Sequence, residues 1–119
     1  MPDVESAAQY NYVRVARVED LPSGERLFIE IDDLPVVVIN LGGIYFAIGD
    51  ICTHDEGPLG DGEIEDHHII CPRHGAKFDL RTGKALTLPA VIDTPAFPVR
   101  VAEGWIELGL KTPDSQKPR

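Results

Sequence analysis

Four side chains able to bind a metal fall into two short boxes: Cys52 and His54 in "CTH", residues 52–54, and Cys71 and His74 in "CPRHG", residues 71–75. Residues 55–70 separate the boxes, and the chain has no other cysteine. Each box offers one thiolate and one imidazole from a tight loop, and Pro72 and Gly75 let the second loop turn so that both side chains point inward. Two such loops facing each other enclose a metal centre. A disulfide between the cysteines would leave both histidine placements unexplained, and a reducing cytoplasm works against it.

A single zinc ion accepts a Cys2His2 set. Zinc fingers and ribbons, however, usually pair Cys with Cys and His with His at close spacing, whereas both boxes here are mixed. A two-iron, two-sulfide cluster of the Rieske kind needs two cysteines on one iron and two histidines on the other, so each facing loop would contribute to both irons.

The elements that must hold these loops read as all-β. Eleven glycines and ten prolines punctuate short apolar stretches, and no window of helical length keeps a period of 3.6. "YVRVARV" alternates from Tyr12 to Val18, with Val13 and Val15 on one face, and is expected as a first strand. "RLFIEI", "LPVVVINL" and "IYFAI" form a three-strand meander, turning at Asp32–Asp33 and at Gly42–Gly43, the latter a dipeptide that readily takes positive φ. "FPVRVA" and "WIELGL" form a last hairpin around Glu103 and Gly104, with Phe97, Val99 and Val101 facing in against Ile106 and Leu108. Trp105 and the tyrosines are expected to pack and nothing more.

The 119 residues are expected to make one domain, 1–119, with a cluster-binding subdomain at about 49–90 and a loose polar tail at about 111–119. A stretch as long as 49–90 without regular patterning is functional or disordered, and both boxes sit in it. With 43% apolar and 26% charged residues the chain has an ordinary globular composition. The longest apolar run is broken by Pro35, Gly42, Gly43 and Gly49, which excludes a membrane-spanning helix. The start, "MPDVESAAQYN", lacks the basic and apolar regions of a secretory signal, so a cytoplasmic location is expected. Eleven basic against twenty acidic residues give a net charge of -9, which repels nucleic acid and anionic membranes and favours partners with basic docking patches. No phosphate loop, nucleophile–base arrangement or dinucleotide fingerprint is present, so the chain shows no substrate site of its own.

"CTH" and "CPRHG" at this separation resemble the two ligand boxes of Rieske proteins, and "CPRHGAKFDLRTGKAL" resembles the second box and following strand of Rieske-type ferredoxins. "EDLPSGE", the Gly42–Gly43 hairpin, "LGDGEI" and "PAFPVRV" extend the likeness from Asn11 to Leu110. The resemblance implies an antiparallel β-sandwich with the cluster-binding loops as a small subdomain at one end. It implies one 2Fe-2S cluster, with Cys52 and Cys71 on the inner iron and His54 and His74 on the outer iron near solvent. Leu59 matches the position that shields the cluster, and Pro89 a second covering loop. The role implied is not that of an enzyme but of a soluble, monomeric one-electron carrier between a flavoprotein reductase and a terminal oxygenase, as in ring-hydroxylating dioxygenase systems. The alternatives are a small Rieske subunit of another redox enzyme, such as a nitrite reductase, an iron-sulfur assembly accessory and, more remotely, a zinc-stabilised binding module.

The chain also departs from the high-potential members of that family. Where those carry an extra cysteine pair tying the loops together, Gly57 and Arg73 stand here, and where they place Ser and Tyr hydroxyls near sulfur, this chain has Ala76 and Phe78. Hydrogen bonds to sulfur stabilise the more negative reduced cluster, so their loss implies a potential near the bottom of the Rieske range, about -150 mV rather than near +300 mV. Asp55, Glu56, Asp61, Glu63, Glu65 and Asp66 crowd the segment between the boxes and either face a basic partner or simply stay solvated. His67 and His68 read as strand or surface residues, His68 being the one credible substitute ligand.

Overall fold

The computed structural model describes residues 10–53, 57–88, 90 and 92–111. Among these the strands are β1 (Tyr10–Arg17), β2 (Arg26–Ile31), β3 (Leu34–Leu41), β4 (Ile44–Gly49), β5 (Ile64–Glu65), β6 (His68–Ile70), β7 (Lys77–Asp79), β8 (Ala96–Phe97), β9 (Val99–Ala102) and β10 (Trp105–Lys111). They form three antiparallel sheets, in the orders β1-β10-β9, β2-β3-β4-β8 and β5-β6-β7.

In the meander, β2 and β3 have the bounds expected, and β4 runs one residue past the expected Ile48, to Gly49. Its first turn puts Asp32 and Asp33 at φ 50° and 67°, and its second puts Gly42 and Gly43 at 64° and 96°. Both central residues at positive φ are what a two-residue hairpin turn needs to match strand twist, and short polar Asp tolerates that region better than most side chains. The run Val36-Val37-Val38-Ile39 on β3 is buried on both faces. Val36 and Val38 join Leu21, Ala47, Ile106 and Leu108 in one core, under the sheet of β1 and β10. Val37 and Ile39 join Ile48, Ile69, Phe78 and both cysteines in another, under the small sheet. The meander is therefore the middle layer, and each fully buried Val or Ile contributes about 1.5–3 kcal/mol relative to exposure.

Three details of the outer sheet differ from the sequence reading. First, β1 spans Tyr10–Arg17, while Val18 enters a short 3-10 turn over Val18–Asp20. Second, its register shifts between Arg14 and Ala16, so the alternation that placed Val13 and Val15 together breaks, and Val15 and Ala16 both pack on the core. Third, Phe97 belongs to β8 and pairs with Ala47 in the middle sheet. Pro98, which has no N–H to donate to a ladder, separates it from β9, and the chain crosses there from one sheet to the other. Val101 lies opposite Ile106, but β9 is the edge strand and Val101 stays 50% exposed. The tail beyond Lys111 lies outside the described residues.

On β10, the Glu107 carboxylate is nearly buried between two arginines, with Arg100 Nε at 2.7 Å and Arg14 Nε at 3.4 Å. The Arg100 hydrogen bond, opposed by burial and reinforced by Arg14, holds the carboxyl below the usual carboxylate range. A carboxyl lowered by folding stabilises the native state above its unfolded value, and that contribution is lost as pH falls through the folded one. Glu107→Gln is therefore expected to unfold at lower temperature than the parent at neutral pH and to converge on it in acid, as followed by circular dichroism. Equal midpoints at neutral pH would contradict this.

Candidate metal centre

The first box follows β4 directly. The Asp50 N–H bonds Pro35 O at 2.8 Å, and Asp50 Oδ1 accepts from the backbone N–H groups of Leu59 (2.9 Å) and Gly60 (2.5 Å). Between these anchors the Cys52 N–H donates to Gly57 O at 2.8 Å, closing a loop of residues 52–57. Thr53 Oγ1 donates to Ile92 O. His54, Asp55 and Glu56, within that loop, lie outside the described residues, as does Pro89.

The second box repeats the closure. The Cys71 N–H donates to Ala76 O at 2.7 Å, and the Gly75 N–H returns to Cys71 O at 3.0 Å. Gly75 sits at φ 78°, a conformation a side chain would resist. In both loops the cysteine N–H thus reaches the carbonyl five residues on. This fixes each sulfur at the base of its loop, and in the second loop the later residues lie at the tip. His74 is one of these, and it is exposed.

Cys52 and Cys71 are buried thiols with no disulfide between them. Burial pushes the Cys71 thiol up. The backbone N–H groups of Arg73 and His74, a hydrogen bond with the Cys52 side chain and the Arg73 charge outweigh it and hold the thiol below its ordinary value. Backbone donors aimed at a buried sulfur suit a thiolate, the form that binds metal. The donor set therefore fits a pair of thiolate ligands on a shared metal group.

Behind the sulfurs stands an apolar wall. Leu59, Ile69, Ala76, Phe78 and Leu80 are fully buried in the same core as the two cysteines. Leu59 thus shares a buried core with both cysteines, and Ala76 and Phe78 bring no hydroxyl to it. The structure brings together Cys52 and Cys71. His74 follows in the second loop, and the described residues alone gather no three His, Cys, Asp or Glu side chains into a metal site. His67 packs edge-on against Phe46, with ring centroids 5.8 Å apart, and His68 pairs with Asp79 across β6 and β7. His68 thus belongs to the sheet, and His67 to the turn that joins β5 to β6.

Asp50, Arg26 and Gly62 hold the loops without having stood out in the sequence. Arg26 Nη1, on β2, donates to Gly60 O at 2.5 Å and Gly62 O at 2.7 Å. A Cβ on Gly62 would lie 1.9 Å from Ile70 O, a backbone atom that cannot swing aside. The glycines of "LGDGEI" were the available signal for this close approach, whereas nothing in the spacing pairs Arg26 with them.

The chain matches the Rieske 2Fe-2S domain family over residues 11–98. The 3-phenylpropionate/cinnamic acid dioxygenase ferredoxin subunit of Escherichia coli (strain K12) is 41% identical over 108 residues, covering 89% of this chain and 98% of that protein. Among solved structures, the ferredoxin of carbazole 1,9a-dioxygenase from Nocardioides aromaticivorans IC177 is 33% identical, with a TM-score of 0.75 over 82% of this chain and 96% of its own. A chain from the complex of reduced oxygenase and oxidized ferredoxin in carbazole 1,9a-dioxygenase is 28% identical, with a TM-score of 0.73 over 82% and 91%. With paired cysteine loops on a three-sheet scaffold and a family match over most of its length, the chain belongs to the Rieske 2Fe-2S domain family.

Proposed function

We propose that Cys52 and Cys71 hold the inner iron and His54 and His74 the outer iron of one 2Fe-2S cluster, and that the chain carries single electrons from a flavoprotein reductase to a terminal oxygenase. The observation that carries this reading is the pair of like-closed loops, which sets two buried sulfurs side by side while His74 lies at the exposed end. Bound there, a 2Fe-2S cluster accepts and releases one electron. The protein's own part is to keep the sulfurs dry and to leave the imidazole end open to a partner.

The E. coli relative's name and the oxygenase–ferredoxin complex among the similar structures support a ring-hydroxylating dioxygenase system. We read the chain as a monomer in the cytoplasm, docking on basic patches of its partners. A net charge of -9 and the exposed Asp61, Glu63, Glu65 and Asp66 support that docking. In an anaerobic reductive titration the protein is expected to take up one electron per chain, and an oxygenase that turns over with it should stall when it is withheld. Uptake of two electrons, or turnover indifferent to its omission, contradicts the reading.

Two substitutions test the ligand set and its tuning by redox titration. His74→Cys puts a thiolate on the outer iron in place of a neutral ring, so the potential should move from about -150 mV toward the roughly -400 mV of all-cysteine ferredoxins. An unchanged potential would remove His74 from the set. Ala76→Ser offers a hydroxyl beside the sulfurs and should raise the potential, by about 60 mV for each 1.4 kcal/mol by which the new bond favours the reduced state. A potential that stays put or falls counts against the hydrogen-bond account of tuning.

A further inference from the structure

The two ligand loops come from distant parts of the chain, and each is closed on itself by its own backbone. Arg73 joins them at the surface. Its Nη1, from the second loop, donates to Pro58 O at 2.8 Å, just past the end of the first. Its planar group also lies flat on Gly57, the residue whose carbonyl closes the first loop. A Cβ built on Gly57 would meet Arg73 Nη2 at 2.7 Å, Cζ at 2.8 Å and Nε at 3.1 Å. All three nearest atoms belong to that one guanidinium, and Gly57 is not among the residues at positive φ. The space that a Gly57 side chain would take is thus filled by Arg73.

We infer that Arg73 is a positioning residue, a noncovalent clasp that holds the closing residue of the first loop against the second, with Gly57 as its seat. This rests on the ligand reading of the preceding subsection. The planar group satisfies both halves of the contact at once: one edge donates to the Pro58 carbonyl while the face packs on the bare Gly57 backbone. Lysine keeps the charge but has neither the plane nor the fork. The clasp ties one ligand loop to the other, so its loss should speed the departure of whatever they hold more than it weakens the sheets beneath.

The test compares holoprotein of the parent with Arg73→Ala and Gly57→Ala. Loss of visible cluster absorbance in excess chelator is followed, alongside the magnetic resonance signal of the reduced state and thermal unfolding of the sheets. Both variants are expected to lose the cluster roughly three- to tenfold faster, the range that the net worth of one hydrogen bond gives. The g values should shift or broaden, with little change in the unfolding midpoint. Gly57→Ala leaves the Arg73 charge in place and disturbs only its seat, so it separates packing from charge. Either variant keeping the parental lifetime overturns the clasp. If the alanine variants assemble no cluster, Arg73→Lys serves in their place and should fall below the parent; parental behaviour would again overturn it. A parent that binds no two-iron cluster sinks the ligand reading itself, whereas a loaded parent with unaffected variants removes only the clasp.

Discussion

Two sulfur atoms buried side by side form a costly arrangement unless something answers their charge, because an anion taken out of water without partners is heavily penalised. Much of what surrounds the centre serves that constraint. Backbone N–H groups of Arg73 and His74 point at the Cys71 sulfur, the Cys52 side chain bonds to it, and the Arg73 charge stands nearby. The metal group itself supplies the remaining positive charge when bound. The like closures of the two loops serve the same need: tying each cysteine N–H to a carbonyl five residues on fixes the sulfur at the base of its loop.

The scaffold then has to bring two loops from separate stretches of chain to one place. The middle sheet does so through its two faces, since Val37, Ile39 and Ile48 share a core with both cysteines while Val36, Val38 and Ala47 face the other way onto β10. Asp50 and Arg26 extend that sheet's hold into the loops. One accepts from the N–H groups of Leu59 and Gly60, and the other donates to the carbonyls of Gly60 and Gly62. A segment poor in core residues is thereby fixed by backbone hydrogen bonding, with the buried Leu59 as its apolar anchor. An acidic surface between the boxes is compatible with this, because Asp61, Glu63, Glu65 and Asp66 all remain in solvent.

Much of this was legible in the chain. The strand segments and the Gly42–Gly43 and Asp32–Asp33 turns located the meander to within one residue, because local turn chemistry and strand pattern agree there. The two boxes announced the metal chemistry, and Ala76 and Phe78 its missing hydroxyls. What escaped reading depends on tertiary placement. The bulge at Val15 breaks an alternation that looks regular in sequence, and Val101 is exposed only because β9 ends the sheet. Phe97 changes sheets because Pro98 interrupts the ladder. Arg26 and Asp50 look like ordinary surface charges until the loops fold over them. The seat of Arg73 on Gly57 likewise becomes visible only when two loops far apart in the chain meet.

The account stands on mixed ligation, sulfur on one iron and imidazole on the other. Its most direct measurement is electron–nuclear magnetic resonance of the reduced protein grown with 15N-histidine. Two strongly coupled histidine nitrogens are predicted, with the coupling pattern reduced to one when either His54 or His74 is replaced by Cys. A reduced cluster coupled to no histidine nitrogen, or to a single one in the unaltered chain, would contradict it.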